Sequence, residues 1–453
     1  MRRSIYTFTI KVSFISFFTF LCSCQQEWLD VKQDQSQVIP NSLNDLKAML
    51  DNSSVLNVRM PFLNHISSDD LEAPENILNT VIPEHRNAYL WHADIYEGAS
   101  TYNWNELYRM VYYANLILES LEDIPLRPEN TPDHNYVQGG ALFIRSWAFF
   151  HLVQLFSVQY EEQREQELGI PLLLSADINQ QYNRGTIGEV YRQIIQDLHL
   201  ATDLLPAVQM QKTRASKAAA HALLARTYLQ MGRYAESLAQ AEAGLNYGSD
   251  LLDFNMLDAT KAFPISPFNE EVIFESYMVT TGLSLPSSVN VSKELYDLYD
   301  ENDLRKQIFF QLNDDRIIFK GSYEGANRNF AGISVNELYL IRAECLARLN
   351  RMEEGADVLN QLLKWRYVHF TPLNLSSAAH LLTSILQERR KELLYRGLRW
   401  FDLKRLNLDE PYQTTLTRTV GGEVYVLQPQ DGRYVFPIPD EVIEMSGIQQ
   451  NPR

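Results

Sequence analysis

Residues 221–245, HALLARTYLQMGRYAESLAQAEAGL, and residues 339–363, YLIRAECLARLNRMEEGADVLNQLL, share one internal spacing. Each has apolar residues at three- and four-residue intervals, breaks at a single residue (Gly232 or Asn350), and resumes the same period. Ala225 and Ala343 lie seven residues before the break, Ser237 and Gly355 five after it, Leu245 and Leu363 thirteen after it. Small side chains at those offsets let two antiparallel helices approach closely. Gly or Asn at the break tolerates the left-handed backbone of a tight helix–helix turn. This is the helix-turn-helix pattern of tetratricopeptide repeats. The two copies are too far apart for a uniform tandem array. The expected fold is therefore mainly α: a tetratricopeptide-like helical-repeat scaffold with an irregular loop-rich insertion and minor β structure.

The helical period extends outward from these copies. SLNDLKAML (42–50) is a short amphipathic helix. NWNELYRMVYYANLILESLEDI (103–124) places Leu107, Met110, Val111, Ala114, Ile117, Leu118 and Leu121 on one stripe. VQGGALFIRSWAFFHLVQLF (137–156) does so with Ala141, Ile144, Ala148, Leu152 and Leu155. TIGEVYRQIIQDLHLATDLLP (186–206) opens with Thr186 and Glu189 at capping-box spacing and stops at Pro206. Strand signals are few: RIIFK (316–320), EVYVLQ (423–428) and RYVFPI (433–438). The stretch from about 250 to 333 is richer in Pro, Gly, Ser and Asn, and loops on rigid scaffolds commonly carry binding function.

The N-terminus is a different kind of sequence. Arg2 and Arg3 precede an uncharged segment from Val12 to Cys22, about a dozen residues and too short to span a bilayer. It reads as a secretory signal. Its end, Leu21-Cys22-Ser23-Cys24, resembles a bacterial lipobox. That resemblance implies diacylation of the Cys24 thiol and cleavage before it. Cys345 is then the only other thiol in the mature chain, so no intrachain disulfide is available, and its helical setting predicts a small buried hydrophobe.

The net charge of −17 argues against nucleic acid or an anionic lipid surface as the main partner. Tyr (24) and Trp (6) are plentiful, and their flat apolar faces with polar edges suit sugars as well as cores. G-x-S-x-G, H-E-x-x-H, Walker A and G-x-G-x-x-G patterns are absent, and the nine His are scattered without zinc spacing. No cofactor is implied and no enzyme is expected. His65 ahead of Asp69 and Asp70 hints at a metal, with an ordinary polar loop as the more economical reading. A glycosidase needs only two carboxylates at about 5–10 Å, so a surface hydrolase stays open as an alternative.

ILQERRKELLYRGLRWFDLKRLN (385–407) resembles the E-R-R-x-E-L-x-x-E-G-x-R-W-x-D-L-x-R signature of the SusD/RagB family of Bacteroidetes outer-membrane lipoproteins. Other segments resemble family motifs in the same order: CQQEWLDV, YNWNELYRMVYYANLILESL, GGALFIRSWAFFHLVQLF, ELYLIRAECLARLNR and VFPIPDEVIEMSGIQQNPR. Arg396 and Gly140 stand where the family usually has Glu. The stripe Arg389, Glu392, Arg399, Asp402 and Arg405 reads as an ion-pair network fixing the helix, with an anion clamp as the competing reading. Gly397 permits a bend, and Pro437 and Pro439 stiffen the closing tail.

The resemblance implies a lipoprotein anchored in the outer membrane, facing outward. It implies capture of a glycan or oligosaccharide and its delivery to a SusC-like TonB-dependent transporter. A peptide ligand, or a purely structural lid, are the other readings. It divides the chain into 1–23, signal peptide; 24–249, N-terminal region with helical repeats; 250–333, loop-rich insertion on the ligand face; and 334–453, C-terminal region with the late repeat. It also implies glycan contacts from loops after the first helix and from the insertion. The candidates there are Asp69, Asp70, Trp91, Tyr96, Tyr277, Tyr323, Asn327 and Arg328. Trp104 heads a helix motif and is assigned to the core.

Overall fold

The computed structural model describes residues 40–373 and 377–453. The signal segment and Cys24 lie outside the described residues. Residues 41–453 form one compact unit.

α1 (Leu43–Leu50) starts at a capping box in which Ser42 and Asp45 each accept from the other's backbone amide. α2 (Tyr102–Glu122), α3 (Thr131–Phe156) and α4 (Ile187–Leu204) pack in succession. α4 begins at the expected Thr186–Glu189 capping box. The first repeat is α5 (Lys217–Gln230) with α6 (Tyr234–Leu245), and the second is α7 (Val335–Arg348) with α8 (Met352–Leu363). Gly232 and Asn350 have φ of +70° and +61°, the left-handed turns that the spacing predicts. α6 packs directly on α7, so the two repeats stack although the insertion separates them in sequence. The stack is close: a Cβ on Gly244 would stand 3.0 Å from Leu338 Cδ1.

α3 departs from the expected single stripe. Residues 139–156 are buried all round, because α2, α4 and α1 enclose the helix. A helix without a solvent face needs no polar side. Gly140 follows from the same enclosure, since a Cβ there would stand 2.9 Å from Leu50 Cδ1 of α1. Trp104 sits in the core against Tyr108 and Phe156, with ring centroids 4.7 and 4.9 Å away. Cys345 is fully enclosed in α7, where burial pushes its thiol up to about 12.

The insertion consists of short turns and strands. Val272–Phe274 pairs antiparallel with Ile333–Ser334 at the entrance to α7, and Phe310–Asn313 pairs with Arg316–Phe319. Near the C-terminus Leu416–Val420 and Glu423–Leu427 form a hairpin around Gly421 and Gly422, whose φ of +58° and +85° suit a two-residue turn. Residues 433–438 are not the expected strand. Phe436 makes one backbone bond, to Leu155 O at the end of α3, and Pro437 and Pro439 lack the N–H a ladder needs.

α9 (Ala378–Glu392) and α10 (Arg399–Leu406) carry the charged stripe inward. Arg389 meets Asp402 at 2.8 Å, Arg405 meets Asp402 at 2.9 Å and Glu344 of α7 at 2.5 Å, and Glu392 receives Arg305 at 3.0 Å and Arg366 at 2.8 Å. These groups are buried and mutually neutralised, as the ion-pair reading expects. Breaking one such pair while leaving its partner enclosed costs about 3–5 kcal/mol.

Candidate functional site

The first group of expected contacts proves to be interior. Asp69 makes a two-pronged ion pair with Arg399 at 2.7 and 2.8 Å and a second with Arg390 at 3.0 Å. Burial alone would raise its carboxyl, but the Arg390 and Arg399 guanidiniums hold it well below the ordinary range. Asp70 is enclosed and meets Arg390 at 3.0 Å. Both carboxylates are committed to arginines of the 385–407 stretch, and His65 lies edge-on against Tyr395 at 4.6 Å.

Trp91 is 2% exposed; its Nε1 donates to Ser67 O at 2.9 Å, and the Arg418 guanidinium lies 4.4 Å from its ring centroid. Tyr96 is also 2% exposed and donates to Pro437 O at 3.0 Å. Neither ring can offer a face to a sugar. In the insertion, Tyr323 is likewise enclosed: its hydroxyl donates to Glu271, and Arg396 covers its ring at 4.1 Å. Arg396, the residue that departs from the family signature, thus has a packing role; it also donates to Ser334 Oγ at 2.5 Å. These five assignments, Asp69, Asp70, Trp91, Tyr96 and Tyr323, are corrected from ligand contacts to structural residues.

Tyr277, Asn327 and Arg328 come together at the surface. With Val58, Arg59 and Thr280 they line an open depression of about 500 Å³. Three chain segments build its floor. Tyr277 N donates to Asn57 O, Val279 N to Met60 O, Met278 N to Asn329 O and Ala331 N to Ser276 O, at 2.7–3.1 Å. The loop carrying Asn327 is anchored at both amide atoms: Nδ2 donates to Ser287 Oγ at 2.7 Å, and Oδ1 accepts from Ser287 N at 3.1 Å. Gly325 (φ +59°) lets that loop turn against Pro267, whose Cδ would lie 2.7 Å from an added Cβ.

Arg328 is 38% exposed, stacks 4.1 Å from the Tyr277 ring centroid and reaches Glu324 at 3.2 Å. Arg59, 39% exposed on the opposite segment, pairs with Glu106 at 3.1 Å. Beneath them lie Glu275 and Glu324, both enclosed. Burial, reinforced by the neighbouring Glu324 carboxyl, raises Glu275 far above an ordinary glutamate, and burial also raises Glu324. Two buried carboxyls this close disfavour one another's ionised form, which is why the neighbouring Glu324 adds to the rise at Glu275. The surface therefore presents an aromatic ring, planar guanidinium and amide groups, and a hydroxyl. Such groups suit hydroxyl-rich ligands.

Arg59 and Thr280 were missed in the sequence. Arg59 carried no signal, because it joins the site only through the long-range pairing of residues 57–60 with 276–279. Thr280 lies three residues from Tyr277 in the same loop of the insertion, and proximity alone could have suggested it.

The chain matches a family model described as "Starch-binding associating with outer membrane" over residues 27–229 and the SusD family model over residues 320–453. It is 23% identical to the SusD-like protein P2 of Formosa agariphila over 422 residues, covering 77% of this chain and 79% of the relative. Among solved structures, it is similar to a SusD superfamily protein of Bacteroides thetaiotaomicron (TM-score 0.75, 22% identity, 91% of this chain and 100% of that one). It is also similar to a SusD-like carbohydrate binding protein of Bacteroides vulgatus (TM-score 0.69, 19% identity, 90% and 97%). The solved structures share the fold, and the two family models follow one another in order along the sequence: the chain belongs to the SusD/RagB family.

Proposed function

We propose that this protein is a surface lipoprotein, anchored in the outer membrane through Cys24, that captures a glycan or oligosaccharide. It hands the ligand to a SusC-like TonB-dependent transporter without chemically altering it. The observation that carries the reading is the convergence of Tyr277, Asn327 and Arg328, from two separated loops, on one open depression. The family description of starch binding at the outer membrane supports the ligand class and the location.

A site that releases its cargo to a transporter binds reversibly, so affinities fall in the micromolar to millimolar range, about −8 to −4 kcal/mol. Isothermal titration against a glycan panel measures this directly, and chromatography of the same mixtures reads out turnover. Shortened oligosaccharides made by the pure protein contradict the binding-only reading. Heat on titration with the transporter alone, and none with this protein, contradicts independent capture. Cys24→Ala removes palmitate labelling and Cys22→Ala leaves it intact; the reverse result moves the anchor.

A further inference from the structure

α2 presents two tyrosines one helical turn apart, Tyr108 and Tyr112, on a flank that shares no lining residue with the depression. The segment from Pro171 to Tyr182 crosses this flank and brings up a third ring, Tyr182, leaving a cleft of about 300 Å³. Such a volume is at the small end of ligand pockets, which run to about 300–1,000 Å³.

The crossing segment is tied down by its backbone. Asn115 Nδ2 donates to the carbonyls of Leu173 and Ser175 at 2.8 and 3.1 Å, Ala176 N donates to Glu119 Oε1 at 2.8 Å, and Tyr108 Oη donates to Pro171 O at 2.9 Å. Asn115 is itself held, because its Oδ1 accepts from Arg145 at 3.0 Å and Arg145 grips Asp197 at 2.8 and 2.9 Å. At the tip, Asp177 Oδ1 accepts from Asn179 N at 2.9 Å. The cleft is thus formed before any ligand arrives, and a preformed site avoids an ordering cost.

Its walls are mostly apolar, from Leu173 and the rings, and Ile178 stands 83% exposed at the lip. Tyr112 is 39% exposed. Among the described residues, nothing donates to or accepts from the Tyr112 and Tyr182 hydroxyls or the side-chain amide of Gln180. The one charge in the lining, Asp177, is engaged in its own turn. Flat rings with neutral donors at the rim match a neutral ring that has a C–H face and hydroxyl edges. An anionic ligand finds no opposite charge in this lining, unlike in the depression with Arg59 and Arg328.

We infer that the Tyr108–Tyr112–Tyr182 cleft is a second carbohydrate subsite, taking one pyranose unit of a neutral glycan. The inference rests on the glycan-capture reading above. Two subsites on one chain raise retention of a long polymer well above that of a short fragment, since the second contact forms at high effective concentration.

The test is native affinity electrophoresis of the full chain in gels containing amylopectin, xyloglucan, galactomannan or mixed-linkage β-glucan. Wild type is compared with Tyr112→Ala/Tyr182→Ala, with Tyr277→Ala and with all three changes together. With a polymer that retards the wild type, the expected result is at least a fivefold loss of apparent affinity for the double variant and loss of retardation when Tyr277→Ala is added. Because Tyr182 is half-buried, Ile178→Ala/Gln180→Ala, which changes only exposed positions, must weaken retardation in the same direction. Wild-type retardation in both cleft variants, with Tyr277→Ala impaired, overturns the cleft and leaves the glycan reading standing. No retardation of the wild type by any of the four polymers overturns both.

Discussion

The loops at residues 69–96 and the loops at 277–280 and 325–328 carry the same kinds of side chain, aromatic rings beside carboxylates, amides or arginines. The fold turns the first set inward and leaves the second at the surface. The cause lies elsewhere in the chain. Asp69 is reached by Arg399, 330 residues away, and Asp70 by Arg390, while Arg418 of the C-terminal hairpin spreads over the rings of Tyr89 and Trp91 at 3.7 and 4.4 Å. At the second set the neighbouring arginine, Arg328, comes from another surface loop of the insertion and stays 38% exposed. An arginine over an aromatic ring is thus a lock in one region and part of a binding surface in the other; the depth of the arginine decides which.

The largest effect expected from this contrast is on stability in the first region. Trp91→Ala removes a 2%-exposed ring and lowers unfolding free energy by about 3–5 kcal/mol. Glycan affinity of the folded fraction stays unchanged. Chemical denaturation followed by titration reads both quantities, and a stable variant with weakened binding returns Trp91 to the ligand face. Asp69→Ala comes next. It leaves Arg399 without its ion-pair partner and costs about 3 kcal/mol, again measured by denaturation. A loss under about 1 kcal/mol breaks the claim that this pair fastens the N-terminal loops to α10.

A smaller effect sharpens the description of the second region. Glu275 is held protonated beneath the depression, with its folded-state value raised above the ordinary 4.5. As pH rises above 4.5, the unfolded chain releases this proton while the folded protein keeps it, so stability declines with pH. Glu275→Gln keeps the shape, removes the proton equilibrium and flattens that decline. Across pH 5–8 its gain over wild type grows by about 1.4 kcal/mol for each pH unit over which the folded protein keeps the proton. Melting temperatures of the two proteins across pH 5–9 provide the comparison, and parallel curves contradict a raised Glu275 carboxyl.

Much of the scaffold was legible because its causes are local. The turns at Gly232 and Asn350, the Thr186–Glu189 capping box and the strand at 423–427 each depend on residues within a few positions of one another. The charged stripe was readable as an ion-pair network from its helical spacing, though its partners Arg305, Arg366 and Glu344 were not. The candidate site was legible only in part. Tyr277, Asn327 and Arg328 lie on loops whose exposure the insertion's composition suggests, whereas the burial of Trp91, Tyr96 and Tyr323 depends on distant groups that cover them. The tyrosine cleft escaped notice because Tyr108 and Tyr112 sit on an otherwise ordinary amphipathic helix, and Tyr182 reaches them only after the intervening chain has folded back.

The central claim is that ligand is held at the depression built by residues 57–60, 276–280 and 325–328. Its most direct test is isothermal titration of Tyr277→Ala and Arg328→Ala, beside the wild type, with an oligosaccharide that the wild type binds. Each change is expected to weaken binding at least tenfold, about 1.4 kcal/mol, with melting temperatures close to that of the wild type. Wild-type affinity in both variants contradicts it.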